Sequence, residues 1–426
     1  MTSHLSDDAL YHVLDDVPDY SSFLTVDEMR ASSSRLADIY PDVVAVEQWG
    51  ESRGGIPIEV LRIGNGQKTG LMVGLPHPNE PIGAMMLEYF SQRLAEDDQL
   101  REQLGYTWYL IKAIDPDGTR LNEGWFKGPF NITNYARDFY RPPSQQQVEW
   151  TFPVDYKSYA FNDPLPETRA WMRLIEAHPP DFIFSLHNAG FGGVYLYVSH
   201  DLPPLYPPFF ELVRRSSLPL HLGEPEVPYA RKFGDAIFGM IGLIDMYDFL
   251  AENLDGDPAA ALAGGASSYE YARRFSDPLF LVCEMPYFYN DAINDLSKGD
   301  VVRRDSVLDG IAQNRRIWTF IRDTLARVES ELRVASPFRD SITMNSPLFF
   351  NMMDANEQHA RNSPEMGEKA TRAECFDNEY GKRFYTLLNV GQLVRMLKTE
   401  IEAEGERPLL MDALASTQSV FESEAD

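Results

Sequence analysis

The chain has 426 residues and a formal net charge of -27, from 38 lysines and arginines against 65 aspartates and glutamates. Such a negative field repels phosphate backbones and anionic lipid surfaces, which excludes nucleic acid and membrane surfaces as expected partners. The length allows one large domain with an extension, or two domains. Two cysteines are too few for a disulfide framework.

The start of the sequence and the length of its apolar runs predict the cellular location of the protein. The opening MTSHLSDDALYHVLDD is acidic and lacks the basic and apolar regions of a secretory signal. No apolar run reaches the roughly 18 residues that a membrane helix needs. We therefore expect a cytoplasmic protein with no membrane span.

The first half of the chain alternates predicted helices and strands. Thr25 followed by Glu28 predicts a capped helix start, and a further helix is expected from Pro81, since proline suits a first helical turn. Apolar or alternating runs predict strands at VVAVEQWG, PIEVLRIG, LMVGL, YTWYLIKAI, DFIFSL and LFLVCEM. This order predicts an α/β fold with a mixed, mostly parallel sheet of the eight-stranded type, flanked by helices.

The last part of the chain reads as helical. A long helix is expected over residues 301–334, and KRFYTLLNVGQLVRMLKTEIEAE predicts another amphipathic helix. SPLFFNMMDAN between them reads as an irregular apolar loop. We predict a polar lead-in at 1–20, a catalytic domain at 21–333 and a mainly helical extension at 334–426 packed on it.

Four polar residues stand out because of where they fall in the predicted sheet. His77 and His187 each follow an apolar strand directly, and ligands of open α/β sheets collect outside the carboxyl ends of strands. Glu80 lies three residues after His77, in the turn PHPNEP. Glu284 lies inside the last apolar strand, where a carboxylate is costly to bury without a partner or a role.

These residue types suit a catalytic zinc site, which takes three protein ligands and leaves a position for water or substrate. His77, Glu80 and His187 would be the ligands, and Glu284 the general base beside the metal. An H-x-x-E pair alone is a weak signal, because an ordinary strand-to-helix turn can contain it. A second strand-end histidine and a buried glutamate strengthen the metal interpretation.

Over about residues 20–334 the chain resembles the zinc carboxypeptidases of the carboxypeptidase A type. The motifs HPNE, DPDG, SLHN and FLVCEMP occur in the order that this family shows. The resemblance implies one zinc ion per chain, held by His77, Glu80 and His187, with Glu284 activating water. It also implies hydrolysis of an amide bond near the carboxylate end of a peptide.

The sequence departs from the family where the family binds the substrate's terminal carboxylate. The family's D-x-N-R-N-F stretch corresponds to NYARDF here, so Arg137 is kept as a carboxylate-binding residue while the asparagine is Ala136. Asn134 stands where the family has the aspartate that orients the first zinc histidine. An amide oxygen can accept that imidazole N–H without a charge.

Two further family residues have no direct match. The oxyanion arginine would fall near NEGWFKG, where Lys127 is the available cation. The family's mobile tyrosine would fall in DPAAALAGG, which contains none. Tyr269 and Tyr271 are nearby, but helical packing explains them equally well.

The sequence thus favours a zinc metallocarboxypeptidase acting on a peptide or small amide. A first alternative is a deacylase or amidase acting on an N-acyl amino acid or modified peptide, which the lost asparagine and tyrosine favour. A second is a non-catalytic binding protein on the same fold. The extension could serve as a lid, a strap over the core or a surface for forming a homo-oligomer.

Overall fold

A nine-stranded sheet forms the centre of the protein, with strand order β1-β2-β4-β3-β7-β11-β8-β10-β9. The computed structural model describes residues 13–425, so most of the predicted polar lead-in lies outside the described residues. The strands of this sheet are β1 (Val44–Glu51), β2 (Pro57–Ile63), β3 (Lys68–Gly74), β4 (Tyr106–Ile111), β7 (Phe182–His187), β8 (Tyr195–Val198), β9 (Lys232–Gly234), β10 (Ile237–Gly239) and β11 (Leu279–Glu284).

The middle of the sheet is parallel and its edges are mixed. Strands β4, β3, β7 and β11 run in one direction, whereas β1, β2 and β8 pair antiparallel with their inner neighbours. The mixed α/β architecture is therefore confirmed, with nine strands in the sheet. Two small ribbons pair β5 (Val154–Tyr156) with β6 (Tyr159–Phe161), and β12 (Lys298–Val302) with β13 (Lys369–Thr371).

The helices account for most of the remaining described chain. They are α1 (Val26–Ile39), α2 (Ile82–Glu96), α3 (Asp98–Leu104), α4 (Pro116–Arg120), α5 (Glu123–Phe126), α6 (Ile132–Asp138), α7 (Pro166–Ala177), α8 (Tyr206–Arg215), α9 (Leu243–Asn253), α10 (Ser268–Ala272), α11 (Arg303–Val328), α12 (Pro337–Asn362), α13 (Arg372–Phe376), α14 (Lys382–Glu404) and α15 (Pro408–Ala425). The predicted cap of α1 is confirmed, since Thr25 and Glu28 form a capping box.

Apolar clusters cover both faces of the sheet. Strand β3 contributes to clusters on both faces, because its successive side chains point to opposite faces. On one face Met72 of β3 packs in a cluster with Leu87 of α2. On the other face Leu71 and Val73 pack in a cluster that includes Trp171 of α7. The strands whose ends carry the candidate site residues are therefore fixed between two apolar layers.

Helices α11, α12, α14 and α15 share one apolar core with the loop region between β4 and β5. Trp125, Phe126 and Tyr135 pack in the same cluster as Leu388 of α14 and Phe421 of α15. The C-terminal helices are thus built into the molecule through a common core.

One expectation for the C-terminal part is wrong. SPLFFNMMDAN was expected as an irregular loop, but it lies inside α12. This stretch contains Pro347, and proline in a helix interior removes a hydrogen bond and clashes with the preceding turn. Helix α12 continues through Pro347, with Met353 and Ala355 buried after it.

Within residues 13–425, none of the helices combines the length and apolarity that crossing a bilayer requires.

Candidate metal centre

The first two candidate ligands sit on a strained turn at the end of β3. Leu75 follows the strand with φ 54° and is fully buried, a left-handed conformation that costs a non-glycine residue about 1–2 kcal/mol. The turn then closes through a hydrogen bond from Glu80 N–H to the His77 carbonyl, 3.1 Å long. It places His77 and Glu80 on the same side, just before α2.

The start of α2 lies directly against the end of β7. A Cβ on Gly83 would meet the Leu186 Cβ at 2.3 Å, so only glycine allows this approach. Ile82 N–H donates to Asn188 Oδ1 at 3.1 Å, and Asn188 N–H donates to Glu80 Oε2 at 3.3 Å. These contacts bring the turn to the strand end that carries His187.

His77, Glu80 and His187 form a group whose ligand atoms all lie within 4.8 Å of one another. All three side chains are buried. His187 Nδ1 lies 3.0 Å from Glu80 Oε2, and the two imidazole rings have centroids 4.9 Å apart. The structure therefore brings together the three residues predicted as ligands from two segments of the chain.

The donor atoms fit a metal ion. His77 Nδ1 is buried and has no hydrogen-bond partner within residues 13–425. Burial, followed by the charges of Arg141 and His187, holds the pKa of His77 well below its usual range, so its ring is neutral and has a lone pair to offer. Two imidazoles and one carboxylate are a common ligand set for catalytic zinc.

A chain of buried groups fixes the orientation of His187. Ser185 Oγ lies 3.1 Å from His187 Nε2 and donates to Glu149 Oε2 at 3.4 Å. Glu149 Oε1 accepts from Ser268 N–H at 2.9 Å and from its hydroxyl at 2.6 Å. Because the Ser185 hydroxyl donates to Glu149, it must accept from Nε2–H of His187. In the neutral form of the ring, the lone pair of His187 is then on Nδ1, the atom that faces Glu80.

The carboxylates around His187 affect the pKa of its imidazole. Burial alone would lower the pKa of this imidazole, but the hydrogen bond and charge of Glu80, with the charge of Glu284, raise the pKa to about 9. A divalent cation would occupy the same field in place of the proton.

Glu284 lies beside the ligands and outside their group. It ends β11 and is the register partner of His187 at the end of β7, with its Oε1 3.9 Å from His187 Nδ1. Burial raises the pKa of Glu284 well above its usual range, and the charges of Glu80 and Glu226 add to this increase. A raised pKa suits a carboxylate that accepts a proton during a reaction.

A nearby carboxylate, Glu226, is held by two phenols. Its Oε2 accepts from Tyr195 at 3.4 Å and from Tyr197 at 3.1 Å. Tyr195 is the register partner of Glu284 on the neighbouring strand. Glu226 was not predicted, because nothing in its loop resembles a motif.

Arg141 is the cation that the structure brings to the ligands. Its Nη1 donates to Glu80 Oε1 at 2.9 Å, and its side chain is 33% exposed. Arg141 was not predicted from the sequence, because the arginine of the family motif matches Arg137, four positions earlier. Its only sequence signal is the second arginine in ARDFYRPP.

Lys127, expected to be the oxyanion cation, has partners elsewhere. Its Nζ donates to Glu28 Oε2 at 2.6 Å and to the Phe23 carbonyl at 2.9 Å. These contacts tie it to the start of α1, and the side chain is 47% exposed. The structure does not bring Lys127 into the ligand group.

Arg137 and Asn134, expected in substrate binding and in orienting His77, also lie elsewhere. NYARD forms the body of α6, in which Tyr135 and Ala136 are buried and Arg137 is exposed. The Arg137 guanidinium lies over the Phe421 ring, 6.0 Å from its centroid. Asn134 donates to the Pro129 carbonyl at 3.2 Å. The helix thus turns both polar side chains toward other partners.

Cys283 directly precedes Glu284 in β11. Burial and the charge of Glu284 raise the pKa of its thiol to about 12. A thiol in that state is a poor nucleophile.

Part of the chain matches a known protein family. Residues 29–220 match the family model described as zinc carboxypeptidase. No curated protein matches the chain. The matched range contains His77, Glu80, Arg141 and His187, whereas Glu284 and the C-terminal helices lie beyond it.

Solved structures of similar proteins include carboxypeptidase A from Helicoverpa armigera, with 15% identity, a TM-score of 0.42, and coverage of 66% of this chain and 70% of that one. A metallo-carboxypeptidase from Burkholderia cenocepacia shows 16% identity and a TM-score of 0.37, covering 79% of this chain and 69% of that one. The interpretation of the site as a zinc centre therefore depends on the family model and on the ligand group. The match of residues 29–220 to the zinc carboxypeptidase model, together with the ligand group of His77, Glu80 and His187, indicates a zinc-dependent hydrolase of the metallopeptidase type.

Proposed function

We propose that this metallopeptidase-type hydrolase cleaves an amide bond next to a free carboxylate in a peptide or small peptide-like substrate. The observation that carries the proposal is the convergence of three ligand side chains, a buried carboxylate and one arginine at the ends of β3, β7 and β11. A zinc ion held by His77, Glu80 and His187 would polarise the scissile carbonyl and lower the pKa of an attacking water.

Glu284 would act as the group that accepts a proton from water and donates it to the leaving amine. It is buried beside the ligands without belonging to their group, which is the position that a general base for water requires. After taking a proton from the attacking water, the carboxylic acid can pass it to the amine that leaves. Protonation of the amine makes cleavage of the C–N bond possible.

Arg141 would bind the carboxylate of the substrate. A guanidinium presents a planar pair of N–H donors that matches a carboxylate. The side chain is one-third exposed, so a ligand can reach it from solvent, while its Nη1 is already directed to Glu80. Arg141 takes this role in place of Arg137 and Lys127, whose contacts lie elsewhere.

An aromatic cavity beside the site offers apolar surface for the rest of a substrate. Tyr135 accepts from Asn79 Nδ2 at 3.2 Å, and Tyr287 donates to the Asn79 carbonyl at 2.9 Å, so both tyrosines support the ligand turn. They line a cavity of about 200 Å³ together with Phe23, Trp125 and Phe130.

A second candidate is a deacylase or amidase acting on an N-acyl amino acid or modified peptide. It is favoured by the observation that Arg137 contacts the Phe421 ring and Asn134 the Pro129 carbonyl, both outside the ligand group. Such an enzyme would not need a free peptide C-terminus. A non-catalytic binding role fits less well, because Glu284 lies close to the three candidate ligands, where a general base would be needed.

Peptide profiling separates these functions. N-acyl dipeptides with a free C-terminal carboxylate would be compared with the matching C-terminal amides, using wild type, Arg141→Ala and Arg137→Ala. We expect wild type and Arg137→Ala to prefer the free carboxylate, and Arg141→Ala to lose that preference. Equal cleavage of acid and amide by wild type would favour the amidase, and no cleavage with zinc bound would favour the binding role.

A further inference from the structure

We propose that the C-terminal helices α12 and α14 are positioning elements for Arg141, so that residues beyond the matched family region form part of the active-site machinery. The inference rests on the role of Arg141 proposed above. It concerns the segment of residues 136–144, called here the arginine segment, which leads from the end of α6 through Arg141.

Helix α14 approaches the beginning of the arginine segment closely. A Cβ on Gly391 would meet the Ala136 carbonyl oxygen at 2.1 Å, so glycine is required for this contact. One turn later, Arg395 Nη1 donates to the Asp138 carbonyl at 2.6 Å and to the Phe139 carbonyl at 3.1 Å. These carbonyls end α6 and need partners from outside the helix.

The backbone of Arg141 itself is held from both sides. Its N–H donates to Gln392 Oε1 of α14 at 3.2 Å, and its carbonyl accepts from Ser341 Oγ of α12 at 2.7 Å. Gln392 and Ser341 are both 1% exposed. Further along, Ser144 N–H donates to Asn345 Oδ1 of α12 at 3.3 Å.

The segment has little regular structure of its own to fix it. Residues 139–143 form neither helix nor strand, and Pro142 and Pro143 have no backbone N–H to donate. Buried backbone groups in such a segment must find partners elsewhere, and here the C-terminal helices provide them. Without these partners the guanidinium of Arg141 would occupy a wider range of positions relative to Glu80.

A double-mutant cycle tests the inference. Gln392→Leu removes the acceptor of Arg141 N–H while keeping the side chain's approximate size. Because misplacing a catalytic group by about 1 Å can cost on the order of 100-fold in rate, we expect kcat/KM to fall by roughly 10- to 100-fold. In an Arg141→Ala background the same substitution should cause no further loss. Additive losses, or an unchanged kcat/KM in Gln392→Leu, would overturn the inference.

Two matched variants separate positioning from folding. Gln392→Glu keeps an oxygen acceptor and should restore most of the activity. Asn389→Ala, on the same helix, removes only a bond to the Tyr385 carbonyl and should match wild type. If Gln392→Leu fails to fold by circular dichroism, Ser341→Ala enters the same cycle in its place.

A second readout keeps the test independent of substrate choice. Arg141 hydrogen-bonds the ligand Glu80, and losing such a partner weakens metal affinity by about 10- to 100-fold. We expect zinc affinity, measured by competition with a chromogenic chelator, to weaken in Arg141→Ala and Gln392→Leu without additivity. If wild type binds zinc but cleaves no peptide, the proposed function fails while this cycle still decides the inference. If Arg141→Ala changes neither kcat/KM nor zinc affinity, the position of Arg141 has no effect on the site and the inference fails.

Discussion

Glu149 shows how a single buried residue can affect the metal centre without touching it. It is 4% exposed and reaches His187 through the Ser185 hydroxyl. Partners of this kind fix the tautomer and orientation of a ligating histidine. The Ser268 groups on its other oxygen hold the carboxylate in place.

We therefore expect Glu149→Gln to weaken zinc affinity by about 10- to 100-fold, because the amide can present its NH₂ group to Ser185 and disturb the hydrogen-bond direction. Chelator competition on wild type and variant measures the change. Ser199→Ala, which removes a hydroxyl near β8 and β11, serves as the control and should leave zinc affinity unchanged. Equal affinities in all three proteins would show that Glu149 has only a packing role.

At this scale the sequence predicted the residues whose position follows from strand order. His77, His187 and Glu284 follow or end buried strands of a parallel core, so their meeting is a property of the topology. Arg141 could not be predicted in this way. It lies in an irregular segment whose path is set by Gln392 and Ser341, 251 and 200 residues away.

Among the elements, the connection between α11 and α12 depends on a carboxylate from α14. Glu400 accepts from Arg333 N–H at 2.7 Å, from Val334 N–H at 2.9 Å and from Arg407 Nη2 at 3.0 Å. Burial alone would raise the pKa of Glu400, but these backbone hydrogen bonds and Arg407 lower it below the usual 4.5. The ionised form is therefore the one that stabilises the fold.

The stabilisation that Glu400 provides should decrease as the pH falls. Since the folded state lowers the pKa of Glu400, its stabilisation is present above pH 4.5 and is lost as the pH falls through the lower folded-state value. Glu400→Gln should reduce the free energy of unfolding near neutral pH by about 2 kcal/mol. Urea denaturation across this pH range should show the deficit shrinking in acid. The exposed Glu402→Gln on the same helix is the control, and a deficit independent of pH would contradict the assignment.

The elements also show where sequence patterns mislead. Strands β3, β7 and β11 were predicted because each is a short apolar run bounded by turn residues, a pattern that is consistent with a buried strand. SPLFFNMMDAN was predicted to be an irregular apolar loop, whereas packing of Met353 and Phe338 into the shared core keeps α12 helical. Tertiary contacts of this kind override local propensity.

For the whole molecule, the shared core links the family region to the C-terminal helices. Phe126 and Tyr135 pack with Phe384 and Leu388 in one cluster, so we expect the two parts to unfold together. The division at residues 20 and 333, the cytoplasmic location and the possible homo-oligomer stay predictions. Sedimentation of the purified chain would test the last of these.

Metal binding should stabilise the whole molecule, because the ligands come together only in the folded state. Free zinc at 100 times its dissociation constant adds about 2.7 kcal/mol to the free energy of unfolding. Calorimetry should show the melting temperature rising with zinc and falling with a chelator. His77→Ala should lose the response, and a zinc-dependent rise that persists in this variant would place the metal elsewhere.

The central claim is that His77, Glu80 and His187 hold the metal while Glu284 acts beside it. Measuring zinc content and peptide hydrolysis together in wild type and Glu284→Gln tests this most directly. We predict one zinc ion per chain in both proteins, with hydrolysis reduced by roughly 100- to 10,000-fold in the variant. A variant that keeps its activity, or that loses its zinc, would contradict the assignment.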